Sequence, residues 1–289
     1  MGIGGFFKKT FGKQECAFCG AEAGMMSRTK IKNDEFICNK CAHGCSRHVR
    51  LGRFTKEELD GHIEYMKRQD RLYHEVLEDV RPLLIPSAVS DEAIAFYDDY
   101  GMFRIMDRDT DKQEGRTMEL FRYDQVASYE KYWEEEEPSE KGREKEFKEY
   151  GVIIRLVSTM DNQSELKPGT MAHPYIQDPI KVCLSKRKPS ANYADNIVFH
   201  FDTIFGVRDD EKALLSFGPT KAQKRQGEAY KAMGSAFMAA IKVAKEGEGA
   251  LTEEKMAELK QGMNKIDDAQ TGGLAEYTRR ANAAEERIQ

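Results

Sequence analysis

The chain of 289 residues has no hydrophobic run long enough to cross a membrane. Its longest such run near the C-terminus, residues 232–241, falls far short of the roughly 20 residues that a spanning helix needs. The first 13 residues contain three phenylalanines but no continuous apolar segment, so they do not match a secretory signal peptide. A glycine follows the initial methionine, but the sixth residue is phenylalanine, which does not fit the myristoylation pattern. These absences predict a soluble, cytoplasmic protein.

Motifs of common enzyme classes are missing as well. The chain contains no GxGxxG, GxxxxGK[ST], HExxH or GxSxG sequence. Outside the N-terminal region a thiol nucleophile would have to combine Cys183 with His173 or His200, and neither histidine lies in a catalytic motif. We therefore expect a protein that is not an enzyme, in which Cys183 is a small core residue.

Cysteine is scarce, but four of the six cysteines form two CxxC pairs. The pairs are Cys16 with Cys19 and Cys38 with Cys41, and the segment between them is long enough for one β-hairpin. Four thiolates at this spacing can close a tetrahedral shell around Zn²⁺ and leave no position open for a substrate. The pattern predicts a structural zinc site in a zinc-ribbon or treble-clef-like module, residues 15–54, of a protein from a reducing compartment.

Within this module the sequence predicts strands over residues 25–31 and 35–37 and a helix over residues 42–51. Three further side chains lie in or near the predicted helix and could replace a cysteine as metal ligand: His43, Cys45 and His48. Because two CxxC pairs suffice for the shell, we expect Cys45 to be a free or packed thiol. The sequence leaves this choice of ligand open.

Charge is distributed unevenly along the chain. Residues 1–57 contain eleven Lys/Arg and five Asp/Glu, a net charge of +6, whereas the whole chain carries −5, so the remainder carries −11. Four thiolates bound to Zn²⁺ would lower the N-terminal value to about +4. Such a modest basic patch could contact the phosphates of a nucleic acid, an anionic membrane or the acidic surface of the protein itself. The candidate contact residues are Lys30, Lys32, Lys40, Arg47, Arg50 and Arg53.

The flanking segments have distinct compositions. Residues 1–14 are rich in glycine, lysine and phenylalanine and predict a flexible leader, with contact to an anionic membrane as an alternative. Thr55 and Glu58 form a capping-box pattern that begins a helix, and Pro82 ends it. Residues 55–82 are therefore interpreted as a helix that connects the zinc module to the next domain.

Residues 88–207 have the pattern of a small antiparallel β-domain that ends in a helix. Asp98–Gly101 is a hairpin signal between two of its strands. The charged residues 134–148 predict a solvated loop, and residues 161–179 predict a second loop. The predicted strands are residues 93–97, 102–106, 116–121, 126–133, 151–158 and 180–184, and the predicted closing helix is 194–205.

Residues 209–289 form a helical C-terminal region. The predicted helices, residues 220–245, 252–266 and 274–288, are charged, rich in alanine and carry narrow apolar faces. Such helices are typical of a helical hairpin or of a tail that pairs with a partner protein or with a second copy of the chain.

The first two thirds of the chain resemble known bacterial sequences. The leader Gly4–Lys9, the CxxCG of Cys16–Gly20 and the Phe-Ile-Cys-x-x-Cys of Phe36–Cys41 are similar to the N-terminus of a bacterial family of unknown function. The hairpin over residues 94–106 and the segment Glu119–Tyr129 resemble the pleckstrin-homology-like (PH-like) domains that often follow. The resemblance implies zinc at the four cysteines, a PH-like fold for the β-domain and no catalytic residue.

These features predict an α+β protein that is not an enzyme: a zinc-stabilised binding or adaptor protein that acts through protein–protein contacts. A PH-like domain that binds phosphoinositides needs a basic loop between its first strands, and the turn Asp98–Gly101 is acidic, so a protein ligand is expected. The alternative is a nucleic-acid-binding protein that uses the basic face of the zinc module.

Overall fold

The computed structural model describes residues 12–85, 92–107, 111, 116–136, 146–162, 169–186, 193–207 and 273–289. It contains helices and antiparallel strands, which confirms the predicted α+β class. None of the described helices has the length and hydrophobicity needed to cross a membrane. The helices predicted over residues 220–245 and 252–266, and the first eleven residues of the leader, lie outside the described residues.

Two short hairpins form the N-terminal part of the fold. The strands are β1 (Gln14–Glu15), β2 (Glu22–Ala23), β3 (Arg28–Lys30) and β4 (Phe36–Cys38), and β1 pairs with β2 and β3 with β4. Gln14 therefore already belongs to a strand rather than to the leader. The strand predicted over residues 25–31 is shorter than expected, because Met25–Ser27 form a 3₁₀ turn. In that turn the Ser27 hydroxyl donates to the carbonyl of Gly24 at 3.2 Å.

The helix after the second cysteine pair is a single turn, α1 (Asn39–Ala42). The prediction of a helix over residues 42–51 was therefore wrong. Gly44 follows α1 closely and disfavours helix continuation. The backbone N–H of Ser46 then donates to Nε2 of His62 at 3.0 Å instead of to a helical carbonyl. A side chain from a distant element thus replaces the helical hydrogen bond.

The connecting helix begins as the capping box predicts. In α2 (Lys56–Leu72) the Thr55 hydroxyl accepts from the backbone N–H of Glu58 at 3.3 Å, and the Glu58 carboxylate accepts from the N–H of Thr55 at 2.7 Å. The helix continues as one π-helical turn, Tyr73–Leu77. Its buried side carries two polar residues, His62 and Gln69, among the apolar ones, so this side packs against other parts of the chain along its length.

Seven strands form two antiparallel sheets. The first has the order β5-β6-β7-β8, with β5 (Leu83–Ile85), β6 (Glu92–Tyr97), β7 (Met102–Asp107) and β8 (Phe121–Arg122). The second has the order β11-β10-β9, with β9 (Val126–Glu136), β10 (Glu146–Leu156) and β11 (Ile180–Ser185). The predicted hairpin between β6 and β7 is confirmed, since Gly101 takes a φ of 62° after a 3₁₀ turn. Because β5 precedes residue 88, the first sheet begins earlier than the predicted β-domain.

Two predicted boundaries within the sheets were wrong. Residues 116–120 form no strand, because their polar groups bind other elements; the N–H of Met118, for example, donates to Asp70 Oδ1 on α2 at 2.8 Å. The ends of the predicted loop 134–148 are instead the paired ends of β9 and β10. Lys181 on β11 forms ion pairs with both Glu134 on β9 and Glu149 on β10. These ion pairs offset the repulsion between the acidic side chains of the two strands.

The helix α3 (Tyr193–Ile204) confirms the helix predicted over residues 194–205 and helps to close the main core. Its Phe201 ring meets the rings of Phe96 on β6 and Phe103 on β7 edge to face, with centroids 5.3 and 5.5 Å apart. Val49 from the N-terminal module belongs to the same core. The module and the sheets therefore share buried surface.

The last helix, α4 (Leu274–Glu286), confirms the helix predicted over residues 274–288. It packs within its own chain, because Ala281 and Ala284 are buried and the Tyr277 ring meets the Tyr123 ring edge to face at 5.1 Å. The sequence predicted a helical hairpin or a tail that pairs with a partner or a second copy, and the structure places the apolar face of this helix against its own chain.

Candidate metal centre

The four predicted ligands converge at one point. The Sγ atoms of Cys16, Cys19, Cys38 and Cys41 all lie within 4.8 Å of one another. The Sγ atoms of Cys19 and Cys38 are 3.8 Å apart. A tetrahedral shell with metal–sulfur bonds of about 2.3 Å has sulfurs about 3.8 Å apart, so this edge has the required length. The four cysteines could therefore hold a metal ion.

Local backbone structure positions these sulfurs. Gly20 takes a φ of 71°, and its N–H donates to the carbonyl of Cys16 at 2.9 Å, which closes the turn that carries the first pair. In the second pair the N–H of Cys41 donates to the sulfur of Cys38 at 3.5 Å. The N–H of Cys38 donates to the sulfur of Cys16 at 3.3 Å and so joins the two pairs.

The electrostatics of the cluster favour a bound cation. Burial by itself would raise the pKa of the Cys16 thiol, but hydrogen bonds from the backbone of Cys38, Cys19 and Phe18 outweigh it and lower the pKa to about 6. Burial, together with hydrogen bonds to the other three thiols, raises the pKa of Cys41 well above its ordinary value. One thiol therefore ionises readily while another resists, and a divalent cation would supply the charge that makes four thiolates compatible.

The alternative ligands do not belong to this cluster. His43, Cys45 and His48 are absent from the group of converging ligand atoms found among the described residues. Cys45 is 1% exposed, and burial raises the pKa of its thiol to about 11, as expected of a packed cysteine. Burial lowers the pKa of His48 to about 3, with Arg47 acting in the same direction, and the neutral ring accepts from Arg47 Nε at 3.2 Å.

Arg47 joins the cysteine module to the first sheet. Its Nη2 lies 3.1 Å from Glu92 Oε1 on β6, and its Nη1 lies 2.7 Å from Asp107 Oδ2 on β7. The three side chains are between 16% and 27% exposed, so all are largely withdrawn from water. A guanidinium between two carboxylates balances charge that would otherwise be costly to bury.

A second polar link lies beside the first. The hydroxyl of Ser46 donates to Oε2 of the buried Glu119 at 2.8 Å. Burial raises the pKa of Glu119 to about 7, against the lowering effects of Ser46 and two arginines. Its other oxygen, Oε1, has no hydrogen-bond partner among the described residues. Ser46, Glu92 and Glu119 could not be predicted from the sequence, because only tertiary contacts distinguish them from other polar residues.

The six candidate nucleic-acid contacts do not form one free basic face. The structure places Arg47 in the buried interface, which makes its prediction as a surface contact wrong. Arg50 and Arg53 share one partner, Asp178 Oδ2, at 3.0 Å each. Lys30 pairs with Asp34, whereas Lys32 and Lys40 are exposed.

Cys183 is not the core residue that the sequence predicts. In β11 the neighbouring residues Val182 and Leu184 point into the main core, and alternation places Cys183 on the opposite, half-buried face. Its sulfur lies 3.6 Å from Glu149 Oε2, and its N–H donates to Glu92 Oε2 at 2.5 Å.

Among known families, a match is found for the N-terminal cysteine module and the beginning of α2. The model of a domain of unknown function, DUF4428, matches residues 14–62, which contain all four cysteines and the beginning of α2. No curated protein and no solved structure matches the chain. The match and the sulfur cluster together fit an N-terminal metal-binding module.

Proposed function

We propose that the chain is a zinc-stabilised binding protein that acts through protein–protein contacts. The observation that carries the proposal is the cluster of four sulfurs, whose 3.8 Å edge suits the zinc–sulfur distance. Soft thiolate ligands select Zn²⁺ over oxygen-preferring cations. A shell of four protein ligands has no position for a substrate, so the metal would stabilise the fold rather than perform chemistry.

The β-domain supplies the second part of the proposal. Two antiparallel sheets of four and three strands, followed by α3, support the PH-like architecture that the resemblance implies. The turn between β6 and β7 carries Asp98 and Asp99, which would repel a phosphate group. At this turn, which is the second of the first sheet because β5 precedes β6, a protein ligand is therefore favoured over a phosphorylated lipid.

The arginines support a protein over a nucleic acid as ligand. A nucleic-acid site gains affinity from basic side chains that are free to meet phosphates. Arg47 is committed to Glu92 and Asp107, and the more exposed Arg50 and Arg53 share the single carboxylate of Asp178. Nucleic-acid binding therefore has less support than the composition of the module suggests.

The proposal is tested with the tagged full chain and its Cys38→Ser variant. We expect about one zinc ion per purified chain, measured by elemental mass spectrometry, and none in the variant. Capture from a lysate of the native host, with and without nuclease, should yield the same protein partner in both samples. That partner should then bind the purified chain directly. Loss of all partners on nuclease treatment would contradict the proposal and favour nucleic acid as the ligand.

A further inference from the structure

The C-terminal helix α4 occupies a groove built by other elements. We define the helix groove by six residues: Leu72 and Leu77 at the end of α2, Ala95 and Tyr97 on β6, Met102 on β7, and Leu120. Ala281 and Ala284 of α4 and Ile288 just beyond it complete the same buried cluster. Side chains at these spacings share one helical face, so an amphipathic helix fills the groove.

Polar contacts at the rim fix the register of this helix. The Thr278 hydroxyl donates to Asp124 Oδ2 at 2.9 Å, and Arg280 Nη1 donates to the carbonyl of Asp98 at 3.1 Å. Arg122, which also bonds Asp124, has its Nη1 3.2 Å from Glu285 Oε1. These contacts are spread along the helix, so a shift by one residue would break several of them at once.

Gly101 allows the helix to approach the sheet closely. A Cβ atom at this position would overlap the backbone carbonyl of Tyr277. The positive φ of Gly101 also disfavours any other residue. The groove is therefore shaped for the backbone of a helix as well as for its side chains.

The helix is held by large side chains at its two ends and by small side chains and rim contacts between them. Leu274 is fully buried in the main core, and Ile288 is buried in the helix groove. Near its C-terminal end two of the buried side chains are alanines, which bury little apolar surface. A segment of about 13 residues is a marginal helix in water, so α4 gains its helical structure largely from the groove. Residues 205–273 connect it to α3, and this covalent connection raises its effective concentration at the groove above that of a separate peptide.

We propose that the helix groove is the docking site for a partner helix and that α4 is its internal ligand, which the partner displaces. This inference rests on the proposed function as a protein-binding chain and names the class of partner. The partner is an amphipathic helix with small residues in the middle of its apolar face. It also carries an arginine that meets the carbonyl of Asp98 and a carboxylate that meets Arg122.

The test uses the full chain with a specific protease site inserted after Gly247. The probe is a fluorescein-labelled peptide of residues 272–289, and its binding is followed by fluorescence anisotropy. Cleavage removes the advantage of covalent connection, so the peptide should bind the cleaved protein at least tenfold more tightly than the uncleaved protein. Equal affinity for the two forms, or no binding to the cleaved form, would overturn the inference.

Two variant peptides provide matched controls. Ala281 is 1% exposed in the groove, whereas Ala283 is exposed on the opposite face. The Ala281→Leu peptide should bind at least tenfold more weakly because it overfills the groove, and the Ala283→Leu peptide should bind like the parent. Equal binding of both variants would show that the peptide does not use this face and would overturn the inference.

The folded state of the cleaved protein is measured by thermal unfolding. A cooperative transition should remain after cleavage. Its loss would make α4 a permanent part of the fold and would overturn the inference. A negative result in these assays leaves the proposed function standing, because capture of a partner by the intact chain tests that function separately.

Discussion

Replacement of Arg47 by methionine tests whether the cysteine module is locked to the sheet by charge. Methionine keeps much of the length of the side chain but removes the guanidinium between Glu92 and Asp107. Removing one partner of a buried ion pair costs about 3–5 kcal/mol, because the remaining charge has no compensation. Since these side chains are between 16% and 27% exposed, we expect a loss near the lower end, about 3 kcal/mol.

The loss should depend on pH in a defined direction. Burial raises the pKa of Glu92 above its ordinary value, and Arg47 opposes that shift. Without Arg47 the folded-state pKa rises further above the unfolded value, so the folded chain favours the protonated carboxyl. Stability is then lost as the pH rises through the folded pKa, and the deficit of Arg47→Met should be larger at pH 8 than at pH 5.

The assay is urea unfolding followed by circular dichroism and by the fluorescence of Trp133, the one tryptophan of the chain. The matched control is Arg50→Met, whose side chain is 68% exposed and should contribute less than about 1 kcal/mol. Adding Glu92→Gln to Arg47→Met should recover part of the loss, because it removes one of the two carboxylates that the guanidinium joins. Equal stability of the two single variants, or a deficit that does not change with pH, would refute the reasoning.

Three further outcomes are expected. Cys38→Ser should lose the metal and expose the module to limited proteolysis, whereas Cys183→Ser should keep the metal and remain resistant. Burial raises the pKa of Glu119 to about 7 from 4.5, so this carboxyl lowers stability as the pH rises through that window. The free energy of unfolding of Glu119→Gln, measured with urea, should therefore rise relative to the parent by on the order of 3 kcal/mol between pH 5 and pH 8. The same difference between the two proteins at both pH values would contradict this. Gly101→Ala should destabilise the protein by more than about 2 kcal/mol and release the C-terminal helix to proteolysis, whereas Gly52→Ala, with no close contact below 3.4 Å, should have a much smaller effect.

Local patterns made several features predictable from the sequence. The spacing of the CxxC pairs identified the four sulfurs that converge, because cysteines three residues apart in tight turns face one point. The capping box at Thr55 marked the beginning of α2, and the turn before Gly101 marked a hairpin. In each case the sequence signal lies in residues a few positions apart: within each cysteine pair, within the capping box and within the turn.

Contacts between distant segments explain the errors. The predicted helix over residues 42–51 is replaced by turns because Ser46 bonds to His62 and Glu119, far along the chain. The charge of residues 134–136 predicted a solvated loop. In the structure these residues belong to β9, where Lys181 on another strand offsets the charge of Glu134. Neither partner could be identified from the surrounding sequence.

The sequence by itself determined the four converging cysteines, the α+β class and the hairpin before Gly101, since these depend on residue type and short spacing. Only the tertiary structure decided that Arg47 is an internal counter-charge rather than a surface contact, and that α4 lies in a groove of its own chain. The physical reason is that burial changes the partners with which a charged side chain interacts. The same arginine is a free cation in water, but it is a fixed partner of two carboxylates once the fold withdraws all three from solvent.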